Sequence, residues 1–90
     1  MTDTEPGQAQ LVVYTTTWCG PCSRLKARLT ERGVLFDEVD IEDDSSGADW
    51  VSTVNGGMHL IPTVRFSDGT AMANPSVDAV LERLGSLAHG

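Results

Sequence analysis

Apolar residues along these 90 positions gather into a few short segments, each with its own spacing. Leu11-Val12-Val13-Tyr14 is a continuous apolar run rich in β-branched side chains, which predicts a central strand buried on both faces. Thr15 to Thr17 carry the chain out of it. From Gly20 to Arg32, Leu25 and Leu29 recur at i+4 with the small Ala27 beside them, while Arg24, Lys26, Arg28 and Arg32 take the other faces. That spacing predicts a helix closed at Gly33. Leu35 to Ile41 reads as a second strand with Leu35, Val39 and Ile41 on one face and acids interleaved, a composition suited to an edge.

Glu42, Asp43 and Asp44 precede Ser45 and Ser46, two candidate N-caps, so this charge run reads as the start of a helix. Ala48, Val51 and Val54 form its apolar stripe, with Trp50 off that stripe and Asn55-Gly56-Gly57 closing it. Gly56 and Gly57 read as backbone conformers, although close approach of a substrate would call for the same absence of side chains. His59 is a loop residue. Thr63 to Phe66 alternates as a strand does, Asp68-Gly69 signals a hairpin, and Ala71 to Ala73 forms its second arm. Asn74-Pro75-Ser76 supplies caps and a first-turn proline for a last helix, where Val77, Val80, Leu81, Leu84 and Leu87 match the helical template. Residues 1–10 read as a flexible lead-in and 11–90 as one domain.

Thirteen acids against six bases give a formal net charge of −7 and a pI near 4.4, which excludes a nucleic-acid-binding footprint. Four of the six bases lie on the first helix. They read as a solvated face, or, for Arg24, as a source of positive potential near the thiols. No apolar run is long enough to span a membrane. The opening MTDTEPGQAQ has neither a basic nor an apolar signal region, so the protein is expected in the cytoplasm.

Both cysteines stand together in Trp18-Cys19-Gly20-Pro21-Cys22, where the first strand ends. Side chains at i and i+3 share a helix face, so two thiols at this spacing can close a small disulfide. Cys19 then falls at the helix N-terminus, where unpaired N–H groups and the macrodipole favour the attacking thiolate. Pro21 suits the first turn because its missing N–H breaks no bond. Cys19 is expected to be the exposed thiol and Cys22 the buried partner. A zinc site takes four N/S ligands, but neither His59 nor His89 stands at a spacing from the cysteines that resembles a zinc finger, and a structural disulfide does not suit a reducing compartment. The pair therefore reads as redox-active. A strand, helix and strand in this order form a right-handed βαβ unit, which sets the cysteines at the carboxyl end of the first strand, where open α/β sheets bind ligands.

The order βαβ, helix, ββα, with CxxC after the first strand and Pro62 opening the third, resembles the minimal thioredoxin fold of glutaredoxins. It implies an α/β chain with a four-stranded mixed sheet flanked by three helices. More narrowly, Val13-Tyr14-Thr15-Thr16-Thr17-Trp18-Cys19, Glu38-Val39-Asp40-Ile41, Val54-Asn55-Gly56-Gly57, Pro62-Thr63-Val64, Asp68-Gly69 and Asn74-Pro75-Ser76 resemble the mycoredoxins, glutaredoxin-like bacterial enzymes that use mycothiol, a sugar-bearing thiol. The resemblance implies Cys19 as nucleophile, Cys22 as resolving thiol and a cis bond at Ile61–Pro62. It also implies substrate contacts from Trp18, Gly20, Pro21, Ile61, Pro62, Asn74 and Ser76. For Trp18, a packing role competes with that of an aromatic rim.

Two departures from glutaredoxins bear on the thiol. Thr16 stands where they commonly carry a lysine that pairs with the glutathione carboxylate, and Ala73-Asn74 replaces their Gly-Gly. Both favour mycothiol over glutathione. The implied reaction is reduction of mycothiol mixed disulfides on client proteins by a monomer with no tightly bound cofactor, metal, nucleic-acid partner or membrane partner. Mycothiol would be the reducing co-substrate, recycled by NADPH and a mycothiol-disulfide reductase. Gly20-Pro21 is the dipeptide usual in thioredoxins, which keeps open a dithiol reductase served by a flavoprotein. A third reading is a module that bridges an iron–sulfur cluster between two chains through Cys19.

Overall fold

The computed structural model describes residues 9–89, in the order β1 (Leu11–Thr15), α1 (Gly20–Glu31), β2 (Phe36–Asp40), α2 (Ser45–Val54), β3 (Thr63–Phe66), β4 (Ala71–Ala73) and α3 (Val77–His89). Residues 1–8 of the expected lead-in lie outside this range. The strands form one mixed sheet in the order β2-β1-β3-β4, with β2 parallel to β1 and the other pairs antiparallel. Three helices on a four-stranded mixed sheet is the expected architecture, and β1 is the central strand that its apolar run predicts.

The register divides the side chains between two faces. Leu11 pairs with Phe66 and Val13 with Val64, and these four join Leu25 and Leu29 of α1 and Val80 of α3 in the main core. Leu29, Val13, Val64 and Val80 are fully buried. Truncating Leu29 to alanine would cost about 2–5 kcal/mol, as expected for a core leucine whose space cannot collapse.

The other face carries α2. Tyr14, paired with Thr63 on β3 and Val39 on β2, stacks on Trp50 with ring centroids 4.7 Å apart, and the Arg65 guanidinium lies 5.0 Å above the Trp50 ring. Trp50, off the aliphatic stripe, thus has an aromatic seat of its own. Gly47 lets α2 come close: a Cβ there would lie 2.8 Å from Val39 Cγ1.

The helix ends follow backbone hydrogen-bond needs. Gly33 at φ +74° closes α1, its N–H bonding to Thr30 O and that of Val34 to Leu29 O, a Schellman arrangement. Gly56 and Gly57, both at positive φ, close α2, with Gly57 N–H on Ser52 O.

Three local expectations are corrected. The α2 N-cap is Asp44, whose carboxylate accepts from Gly47 N–H at 3.0 Å and from the Ser46 hydroxyl at 2.8 Å, not Ser45 or Ser46. Those bonds, Gly47 first, hold its carboxyl below the ordinary value. At α3 the cap is the Ser76 hydroxyl, accepting from Ala79 N–H, so Pro75 precedes the cap instead of occupying the first turn. On β2, Leu35 lies outside the strand and is exposed, whereas Phe36, in the opposite phase, packs on the main core.

Candidate active site

β1 ends at Thr15, and four residues later the chain enters α1 with Cys19 as N-cap. Cys19 has extended backbone angles, and its Sγ accepts from Cys22 N–H at 3.2 Å. A helix start leaves N–H groups without internal partners, and here a sulfur takes the place usually filled by a Ser or Asp oxygen. Pro21 sits in the first turn as its missing donor allows. Both thiols are free.

The contrast in exposure is narrower than expected. Cys19 is buried at 5% exposure and Cys22 at 0%, so position at the helix start separates them more than accessibility does. Burial pushes the Cys22 thiol up, and its contact with Cys19 reinforces this, against weaker opposition from the Thr15 hydroxyl and the Thr16 backbone. Thr16, at the glutaredoxin lysine position, is itself buried, and among the described residues its hydroxyl has no partner.

Around the thiols, Trp18 is 70% exposed and its indole N–H donates to Glu42 Oε2 at 3.0 Å, fastening the approach to the cysteines to the turn after β2. Ile61–Pro62 is cis, and the Pro62 carbonyl accepts from Asn74 N–H. The segment before it is tied to α2: the Thr63 hydroxyl donates to Leu60 O at 2.6 Å and accepts from Asn55 Nδ2 at 3.2 Å.

A groove of about 370 Å³ runs between α1 and the β4–α3 connection. Pro21, Arg24 and Arg28 form one wall, with Asn74, Ser76 and Asp78 opposite. It gathers three of the expected substrate residues, Pro21, Asn74 and Ser76, and the Asn74–Pro62 bond joins Pro62 to its rim. Gly20, exposed at the first position of α1, Ile61 and Trp18 are not among its lining residues. Sequence reasoning missed Glu42, Arg28 and Asp78. For Arg28 a signal existed, since it follows Arg24 by one helical turn. For Glu42, 24 residues from Trp18, none did.

A CxxC pair on the first turn of a helix that follows the central strand of a four-stranded mixed sheet is the arrangement of a thioredoxin-fold oxidoreductase. The glutaredoxin family model matches residues 11–70, and the chain belongs to that family. It is 49% identical over 80 residues to a protein of Mycobacterium tuberculosis provisionally named a glutaredoxin, covering 89% of this chain and 95% of that one. Over 80 residues it is 36% identical to Mycoredoxin 1 of Corynebacterium glutamicum, covering 89% and 99%. The glutaredoxin structure from Methanosarcina mazei superposes with a TM-score of 0.73 at 24% identity, over 86% of this chain and 79% of that one, which shows the shared fold. The protein is accordingly a thiol–disulfide oxidoreductase of the glutaredoxin type, and its family works with a thiol co-substrate. Among the described residues no helix is long and apolar enough to cross a membrane.

Proposed function

We propose that this oxidoreductase reduces mixed disulfides between mycothiol and cytoplasmic proteins, with Cys19 as the nucleophile. The observation that carries this reading is the 36% identity to Mycoredoxin 1, which extends over 99% of that protein. The Cys19 thiolate attacks the mycothiol sulfur of the mixed disulfide. A Cys19–mycothiol disulfide forms and the client leaves as its thiolate, which takes up a proton. A second mycothiol thiolate attacks the bound mycothiol sulfur, releasing Cys19 and leaving mycothiol disulfide. A mycothiol-disulfide reductase returns that product to two thiols with electrons from NADPH. Cys22, buried and held as a thiol, is a poor nucleophile at neutral pH, which supports resolution by the external thiol.

The Gly20-Pro21 dipeptide favours a second reading, in which Cys22 resolves a protein–protein mixed disulfide and a flavoprotein reductase restores the pair. A coupled assay with NADPH separates the two. Mycothiol with its reductase is expected to sustain turnover, and glutathione or thioredoxin reductase to sustain little. Faster turnover with thioredoxin reductase would replace the first reading by the second.

A further inference from the structure

The six basic residues of this acidic chain are not spent alike. Lys26 pairs with Glu38 at 2.9 Å, Arg83 with Asp68 at 3.1 Å and Arg32 with Asp78 at 3.9 Å, while Arg65 lies over Trp50. Arg24 and Arg28 remain. Among the described residues neither enters an ion pair, although the chain carries thirteen acids. One helical turn apart on α1, they repel one another as like charges at i and i+4 do. Both line the groove that begins at Pro21, the residue before Cys22.

The opposite wall decides what such a groove can hold. A carboxylate or phosphate drawn to the two guanidiniums would face Asp78, whose exposed carboxylate has, among the described residues, only the long contact to Arg32. A neutral hydroxyl meets no such conflict, because it accepts from a guanidinium and donates to a carboxylate at once. Asn74 adds both a donor and an acceptor, and Leu25 and Val77 offer an apolar surface for C–H groups. The volume lies at the lower end of the ~300–1,000 Å³ common for small-molecule sites.

We propose that Arg24, Arg28 and Asp78 form a subsite for the polyhydroxylated part of the thiol co-substrate and set its specificity. This rests on the mycothiol reading above. The thiol end lies at Cys19 and the sugar-bearing end in the groove, so the groove holds no reacting atom and acts through binding.

The test compares wild type with the Arg24→Gln/Arg28→Gln double variant and with Asp78→Asn, on two substrates. One is a reporter peptide carrying a mycothiol mixed disulfide. The other is bis(2-hydroxyethyl) disulfide, too short to span from Cys19 into the groove and followed in single turnover by the pre-reduced protein, so that no mycothiol takes part. Losing charged hydrogen bonds is expected to raise KM for the mycothiol substrate about tenfold, with kcat within about twofold, while the short disulfide shows no comparable KM change. A Cys22→Ser protein carrying mycothiol on Cys19 is expected to shift the side-chain NMR signals of both arginines. Equal KM values with unmoved arginine signals would overturn the subsite and leave the mycothiol reading standing. A parallel rise on both substrates would overturn it too, as a sign of general damage. A wild type that processes the short disulfide but not the mycothiol one would sink both.

Discussion

The indole N–H of Trp18 and the carboxylate of Glu42 meet at 3.0 Å across 24 residues of sequence. Glu42 is itself set by its own N–H, which donates to Asp40 Oδ1 at 2.9 Å at the end of β2. An aromatic ring as exposed as Trp18 would otherwise sample several rotamers, so the bond holds it in one orientation beside Cys19.

Glu42→Ala frees that ring and is expected to raise KM for disulfide substrates by about two- to fivefold, in keeping with one exposed charge-assisted hydrogen bond. Glu42→Gln, which retains an acceptor oxygen, should recover most of the loss. Steady-state kinetics on the three proteins checks this. Equal losses in both variants would mean that the carboxylate charge, not the hydrogen bond, matters.

The cysteine variants separate the two redox schemes. Cys19→Ser removes the sulfur proposed as the nucleophile and is expected to lower turnover by at least about a thousandfold under either. Cys22→Ser should keep most turnover on a mycothiol mixed disulfide while losing reduction of a protein disulfide, because only the latter needs intramolecular attack. Loss of both activities in a folded Cys22→Ser protein would favour the dithiol scheme.

Cys22 links stability to alkaline pH. Its folded thiol titrates above the ordinary value of 9.0, chiefly through burial, so the folded state holds its proton where the unfolded state has released it. The stabilisation is complete below the unfolded value and is lost as pH rises through the folded one. Urea unfolding of the reduced protein is expected to show falling stability above about pH 9, and Cys22→Ala to show a flatter profile over that window.

Two helical glycines should respond in opposite senses to alanine. At Gly47 the new methyl meets Val39 Cγ1 at 2.8 Å and the Tyr14 ring at 3.4 Å, so crowding of about 1–3 kcal/mol outweighs the gain in helix propensity. At Gly85 of α3 nothing lies within 4 Å, and Gly85→Ala should stabilise by about 0.5–1 kcal/mol. For a chain this small, thermal melts resolve such changes as shifts of several degrees in Tm.

Much of this molecule is legible from residue order because the deciding interactions are local. The β-branched run of β1, the 3.6-residue spacing of α3, Asp68-Gly69 at the hairpin and the glycines after α1 and α2 each carry their signal within a few positions. The thiol pair is legible for the same reason: its spacing is its chemistry. Errors arise where two local solutions are nearly equal or where distance intervenes. Asp44, Ser45 and Ser46 all offer a capping oxygen, and only the backbone turn selects Asp44. The strand phase of Phe36 is set by its register with Leu11, not by its neighbours. Arg28, Asp78 and Asn74 come to one groove only after the chain has folded back on itself.

The seat of Trp50 between Tyr14 and Arg65 has a practical consequence, since the other tryptophan occupies so different a setting. Trp50, on α2, is partly buried against the sheet, so its emission will follow melting of the sheet's second face. Trp18, open to water and next to Cys19 in the chain, will follow quenching as the thiols are oxidised or loaded. With either ring replaced by phenylalanine, the same unlabelled protein becomes a fluorimetric gauge, one version for unfolding and the other for redox state.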